Sequence, residues 1–247
     1  MKTLLYDELV RFYHLLDPLE DHAEEGEEFG AVLRAAVESP RTLLELGAGA
    51  GHGAHYIKQS FEQVVLTDLS EPMLARSRAL NPDCEHLLGD MRSLRLGRSF
   101  DCVLIHDAIC YLTTPEQLRE AARTVSEHLR PGGAGLLVPD CVQESFVETH
   151  EDHAGDDGER SLRCISWSWD PDPADHTHLT DFAFLLREEG EVRAVHDRHV
   201  YGLFQTSTWL EVCRSVGLEV EVVTRPLPEG YEDSAYTDKM FLCRKGR

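Results

Sequence analysis

Three glycines at alternate positions, in Glu45-Leu46-Gly47-Ala48-Gly49-Ala50-Gly51, close a short apolar run from Thr42 to Leu46. At a strand-to-helix junction such glycines permit a tight turn and let the backbone approach a ligand that a Cβ would hold off. The helix starting after them, from His52, offers free N–H groups to a carboxylate or phosphate. Asp68 ends the next apolar run, 17 residues beyond Gly51, where an acid is placed to bridge the two hydroxyls of a ribose. Two ligand classes fit a glycine turn plus a ribose acid: dinucleotides and S-adenosylmethionine (AdoMet). The dinucleotide spacing G-x-G-x-x-G/A is met only in the shifted frame Gly49, Gly51, Ala54, and it needs no acid before the glycines. AdoMet has no pyrophosphate but carries a free amino group, which Glu45 is suited to hold directly or through water.

The elements that position these residues alternate. Strands are expected at Thr42 to Leu46, Gln63 to Thr67, Cys84 to Leu88, Phe100 to His106 and Ala134 to Val138, with helices from His52, from a Ser70 cap with Pro72 in its first turn, and over Pro115 to Leu129. Nearly all-apolar strands alternating with helices imply a parallel sheet covered on both faces. Ahead of them, residues 1 to 39 read as helical, from apolar residues at turn spacing around an acidic stretch. Behind them, residues 141 to 160 read as an acidic, mobile surface loop. Cys164 to Trp169, Thr177 to Arg187 and Glu191 to Tyr201 read as an antiparallel meander. A helix over Thr206 to Val216 and strands at Leu218 to Thr224 and Lys239 to Arg244 finish the chain.

Composition narrows the partners. The 247 residues are 42% hydrophobic and hold 45 acidic against 24 basic side chains, a net charge of −21. That is globular composition, which excludes collagen-like and wholly disordered readings. Its sign disfavours nucleic acid and anionic membrane surfaces, since both are bound through Lys and Arg. Seven scattered cysteines without a C-x-x-C pair read as reduced thiols, and the acidic start of the chain does not read as a signal peptide, so a cytoplasmic location is expected.

The segments Glu45-x-Gly47-x-Gly49-x-Gly51, Asp68 to Leu74, Gly89-Asp90-Met91, Phe100 to Leu104 and Leu129-Arg130-Pro131-Gly132-Gly133 occur in the order seen in class I AdoMet-dependent methyltransferases, which the chain resembles over about residues 40 to 140. Tyr6 to Leu9 with Phe12-Tyr13, Asn81 to Met91, Tyr111-Leu112 and His199 to Phe204 are similar to small bacterial methyltransferases that include antibiotic-sugar N,N-dimethyltransferases. The resemblance implies a doubly wound, Rossmann-like α/β fold: a seven-stranded, mostly parallel sheet with a helical N-terminal flap and a small antiparallel β cap. It implies one methyltransferase domain made of the flap (1–39), the AdoMet-binding core (40–140), a cap insertion (141–205) and a last helix with closing hairpin (206–247). By the same resemblance Glu45, Gly47, Ala48, Gly49 and Gly51 receive the methionine part, Asp68 the ribose, Asp90 the adenine amino group and the Met91 backbone an adenine nitrogen. Leu69 and Met73 wall the adenine, and Tyr13 and His106 complete the cofactor set. The product would be S-adenosylhomocysteine.

Methyl transfer from a sulfonium needs mainly a nucleophile held at near-attack distance with water excluded. An amine must also lose a proton, and His106, Asp107, Tyr13, His199 and Tyr201 are the candidate acceptors. His106 reads equally well as a satisfied core histidine. No metal is expected, because His150-Glu151-Asp152-His153, His176-Thr177-His178 and His196-Asp197-Arg198-His199 lack zinc-ligand spacing. Trp167 and Trp169 share one strand face and are expected to pack against the sheet, or else to wall a substrate. The expected function is methylation of a small molecule, an amine of an amino sugar or similar metabolite, by a monomer or homodimer. A nicotinamide-dependent oxidoreductase and a non-catalytic AdoMet-binding protein are the rivals.

Overall fold

The computed structural model describes residues 3–224 and 239–247. The N-terminal segment is helical in pieces: one-turn 3-10 helices at Val10–Phe12 and Leu19–His22 flank α1 (Tyr13–Leu16), and only α2 (Ala23–Ala36) is long. Pro18 lies extended at φ −66°, ψ 145° and breaks what the spacing presents as continuous. Then follow β1 (Thr42–Leu46), α3 (His52–Ile57), β2 (Gln63–Asp68), α4 (Glu71–Leu80), β3 (Glu85–Leu88), β4 (Phe100–His106), α5 (Pro115–His128) and β5 (Leu129–Val138). Ser70 caps α4 by accepting from Met73 N, and Thr114 caps α5 by accepting from Gln117 N. The fifth strand starts at Leu129, earlier than its apolar run indicates. Phe100 pairs with Leu129 and Cys102 with Ala134, so Arg130 to Gly133 bulge out of register.

The cap holds β6 (Thr149–Asp156), β7 (Arg160–Trp169), β8 (Thr177–Glu188) and β9 (Glu191–Gly202), and the chain ends in α6 (Thr206–Ser215), β10 (Leu218–Thr224) and β11 (Lys239–Lys245). Part of the segment read as a mobile loop is therefore strand β6, paired antiparallel with β7 from Thr149↔Ser168 to Asp156↔Ser161. Among its side chains only Ala154 is apolar; the backbone ladder carries the strand, and the flap presses on it. A Cβ on Gly155 would lie 2.3 Å from Leu15 O.

The main sheet has the order β10-β11-β5-β4-β1-β2-β3 and the cap sheet β6-β7-β8-β9. Pairing is parallel from β5 through β3 and antiparallel at β11 and β10. Strand order reverses at β1 and β4, so the two crossovers leave on opposite sides and open a crevice at their carboxyl ends. Alternate residues of β1 and β4 feed the two cores. Leu44, Leu46, Val103 and Ile105 pack under α5 and α6, while Leu43, Cys102 and Leu104 join Phe29, Leu33, Ala54 and Ile57 on the other face. A third core joins flap to cap through Leu5, Leu9, Phe12 and Leu15 against Leu162, Cys164, Phe184 and Leu186. Each such fully buried side chain contributes about 2 kcal/mol, so the first part of the flap, through Leu15, is anchored to the cap, while α2 anchors the rest on the main sheet through Phe29 and Leu33.

Trp167 does not pack on the sheet. The buried positions of β7 include Leu162, Cys164 and Ser166, so Trp167 points to the opposite, outer face, with 56% of its area exposed and Nε1 donating to Glu148. Trp169 donates to Asp181 on the same face, and neither ring lines the crevice.

Candidate active site

The crevice is a cavity of about 820 Å³ walled by the carboxyl ends of the parallel strands, the flap and β9. Glu45, Gly47, Ala48, Gly49, Asp68, Leu69, Met73, Asp90, Met91, His106, Asp107 and Tyr13 all line it.

The glycines divide by task. Gly47 (φ +78°) folds the turn back so that the N–H groups of Gly47 and Ala48 both donate to Thr67 O at 2.8 Å, and its missing Cβ leaves room for Ala108, whose Cβ would be 2.3 Å away. Gly51 stands behind the cavity wall. A Cβ there would meet Ser77 Oγ at 2.3 Å, and Asn81 Nδ2 donates to its carbonyl at 2.9 Å, so this glycine is required by packing against α4. Gly49 faces open space, its nearest neighbour being Met73 Cε at 3.5 Å from the built Cβ. Asp68 ties this turn to the next, accepting from Gly49 N at 2.9 Å through one oxygen and from Ser70 N at 2.7 Å through the other. Ser70 in turn donates to Tyr6 O, which pins the flap over the crevice.

Glu45 is 5% exposed, and its Oε2 has no hydrogen-bond partner. Burial pushes this carboxyl up to about 7, against the pull of the His106 and His22 charges. An orphaned buried carboxylate at the end of β1 is unfavourable unless a cation arrives to meet it. Asp90 faces Arg92, which donates to it from the backbone and from the guanidinium. Leu69, 64% exposed although apolar, presents its side chain to the cavity. Together these offer a seat for an ammonium group, a pair of hydroxyls and a flat apolar ring.

The flap adds groups with no local motif. Asp17 accepts from His22 Nε2 at 2.8 Å and lies 3.5 Å from His52 Nδ1. Burial raises the Asp17 carboxyl, but the hydrogen bonds from His22 and His52 outweigh it and hold it well below the usual range. The same contact raises His22 against its burial, an ion pair within the flap that stands against His52 of α3. Asp17, His22 and His52 are also a group whose potential ligand atoms lie within 4.8 Å of one another, outside the three histidine clusters visible in the sequence.

Close by, Asp107 has a strained backbone (φ 50°, ψ −53°) stabilised by Asp107 N donating to Val138 O and Cys110 N to Asp107 O. His106 Nε2 lies 2.6 Å from Asp107 Oδ1, and Asp107 also hydrogen-bonds Asp140. Burial lowers His106, but the Asp107 charge and hydrogen bond prevail and carry it up to about 9. Asp107 is held low by His106 despite its burial, and Asp140 is raised well above the carboxylate range by desolvation and by the Asp107 charge. The Asp107 side chain is 59% open, yet what it opens into is this deep cavity.

Beside it, Tyr6 and Tyr111 line the cavity with their hydroxyls 2.9 Å apart. Tyr111 Oη lies 2.8 Å from His199 Nδ1 and 3.0 Å from Tyr201 Oη, and His199 Nε2 lies 3.0 Å from Asp197 Oδ2. Asp197 also accepts from Leu5 N at 2.9 Å. His199 is fully buried, so it and Tyr201 stand one layer behind the cavity wall and reach its contents only through Tyr111. Burial lowers His199, with Asp197 partly offsetting, which leaves a neutral ring. Tyr6, Tyr111, Asp17, His22, Asp140 and Asp197 are thus site groups absent from the expected set. Tyr6 and Tyr111 alone lie in segments that resemblance flags.

The methyltransferase-domain family model matches residues 43–133, the strands and turns that build this cavity. An N,N-dimethyltransferase of Streptomyces venezuelae, named for dTDP-3-amino-3,4,6-trideoxy-α-D-glucopyranose, is 30% identical over 205 residues, spanning 81% of this chain and 85% of its own. The chain belongs to the AdoMet-dependent methyltransferases. A cypemycin N-terminal methyltransferase from Streptomyces is 34% identical over 83% of this chain and 79% of its own. The crystal structure of Streptomyces venezuelae DesVI superposes with a TM-score of 0.81 at 25% identity, covering 97% of this chain and 98% of that one. The Rossmann-like sheet and the separate four-stranded antiparallel sheet are the fold of such enzymes. In this methyltransferase, AdoMet is the methyl donor and S-adenosylhomocysteine the product, so the nicotinamide and binding-only alternatives fall away.

The Glu45 environment predicts a proton linkage. To meet a ligand's ammonium Glu45 must be ionised, and burial holds its carboxyl at about 7 before a ligand arrives. Binding of S-adenosylhomocysteine should therefore release a proton below pH 7, and affinity should improve about tenfold from about pH 6 to about pH 8 and then level off. Calorimetry in buffers of different ionisation enthalpy measures both, and Glu45→Gln should bind more weakly with no pH dependence.

Proposed function

We propose that this methyltransferase acts on the nitrogen of a small-molecule amine, an amino sugar or a similar metabolite. The observation that carries the reading is the chain Tyr6–Tyr111–His199–Asp197, which leads from the cavity to a buried, neutral imidazole backed by a carboxylate. Oxygen acceptors of low acidity need a stronger base than this; an amine needs only a group that accepts one proton near neutral pH. The naming of one relative for N,N-dimethylation of an amino sugar and of another for N-terminal methylation of cypemycin agrees with nitrogen as the acceptor atom.

AdoMet supplies a methyl group on a positively charged sulfur that is already a good leaving group. The protein's part is therefore placement. Glu45 and the turn at Gly49 hold the methionine end, Asp68 the ribose, and Asp90, Leu69, Met73 and Met91 the adenine. Tyr6, pinned by Ser70, covers the reacting centre and excludes water. Tyr111 receives the amine proton and passes its own to His199 Nδ1, and Asp197 stabilises the imidazolium that forms. A cytoplasmic location is supported by seven free cysteines.

The test uses AdoMet with a trideuterated methyl group and a panel of primary amines, with the site of the label read by tandem mass spectrometry. Label on nitrogen is expected. Label on a hydroxyl oxygen or on carbon would show that the acceptor class is wrong.

A further inference from the structure

The cavity that receives the acceptor is unbalanced in charge. Among the described residues, the arginines lining it are Arg92 and Arg198, and both are committed to carboxylates. Arg92 is taken by Asp90. Arg198 grips Asp181 with Nε to Oδ1 at 2.7 Å and Nη2 to Oδ2 at 3.0 Å, and Asp181 is fixed in turn by Trp169 and His196. No lysine lines the cavity among the described residues. The wall also carries Asp7 and Asp107, and its two histidines that carboxylates push up, His22 and His106, are themselves paired, with Asp17 and with Asp107.

A diphosphate is recognised by uncommitted Arg, Lys or helix N-termini, and such a group placed against carboxylates is repelled. The geometry points to an acceptor that enters as a free cationic amine carrying no phosphate, with its ammonium bound at Asp107. This deepens the amine reading above and rests on it. It also sets the protein apart from relatives named for dTDP-linked sugars. The strained Asp107 backbone holds the carboxylate toward the cavity, one short 3-10 turn (Ala108–Tyr111) from Tyr111. The ammonium then sits beside the Tyr111 hydroxyl, to which it yields its proton, and methyl transfer from the sulfonium puts a positive charge back on the nitrogen beside the same carboxylate.

Ligand-observed NMR on the wild-type protein loaded with S-adenosylhomocysteine tests this with two probes, D-glucosamine and thymidine diphosphate. Glucosamine should bind saturably and lose at least about tenfold in affinity in Asp107→Asn, while thymidine diphosphate should show no binding up to about 5 mM. Arg198→Ala should leave the thymidine diphosphate result unchanged. Saturable binding of thymidine diphosphate, no saturable binding of glucosamine, or glucosamine affinity unaltered by Asp107→Asn would each overturn the proposal. Loading with S-adenosylhomocysteine is measured first on every variant, so a misfolded protein or an error in the cofactor site shows there. A nucleotide-linked acceptor would defeat this inference while leaving amine methylation standing.

Discussion

Asp68→Ala should lower affinity for S-adenosylhomocysteine by about 100-fold or more. The carboxylate is proposed to receive both ribose hydroxyls, and charge-assisted hydrogen bonds contribute about 1.5–3 kcal/mol each. It also accepts from Gly49 N and Ser70 N, so alanine orphans two backbone donors and loosens the turn that leaves Gly49 open. Burial raises this carboxyl, and the donors from Ser70 and Gly49 only partly restore it. The site therefore maintains a costly charge, as expected where a ligand will meet it. Asp68→Asn keeps an acceptor for one donor and should fall between wild type and alanine. Calorimetry on the three proteins decides the matter, and micromolar affinity retained by Asp68→Ala would contradict the ribose assignment.

His199→Gln should reduce kcat by about 10- to 100-fold near neutral pH, the range of one proton-transfer group, while S-adenosylhomocysteine binding stays as in wild type. The neutral ring donates from Nε2 to Asp197, which leaves Nδ1 to accept from Tyr111 or Tyr201. Glutamine removes that acceptor without opening a large hole. The pH profile separates relay from scaffold. With the relay lost, only amine already deprotonated in solution reacts, so kcat/KM should keep climbing at pH values where wild type has levelled off. Tyr111→Phe should give the same profile, because it cuts the same path one step earlier. A variant with wild-type kcat and profile at pH 7 would remove the relay from the mechanism. A fall in stability and cofactor binding alone would make His199 a packing residue.

The parallel half of the molecule is legible in the sequence because its strands are buried on both faces and read as apolar runs cut by glycine. Phe100 to His106 is the plainest case, and it appears as β4 with the same ends. The caps Ser70 and Thr114 work through local chemistry that a few residues suffice to specify. Strand β6 is different. Thr149 to Asp156 is polar and mostly exposed, and only its pairing with β7 and the pressure of Leu15 on Gly155 make it a strand. The outward turn of Trp167 depends on which face of the cap meets the flap, a tertiary fact no alternation contains. That Glu45, Gly47, Gly49 and Asp68 meet at one crevice is legible for the same reason as β4, since they lie at strand ends with fixed spacing. The acceptor side was visible only in fragments. Asp17, His22, Asp140 and Asp197 come from the flap, a loop and the cap, and converge only when three elements close over one crevice.

A crevice built for the adenosyl amino acid and not for a dinucleotide should discriminate between S-adenosylhomocysteine and NADH in paired calorimetric titrations of the purified protein. The buried carboxyl of Glu45, orphaned at Oε2, attracts the ammonium of the first ligand and repels the pyrophosphate of the second. Micromolar binding of S-adenosylhomocysteine with no heat from NADH is the predicted result, and binding of NADH alone would contradict it.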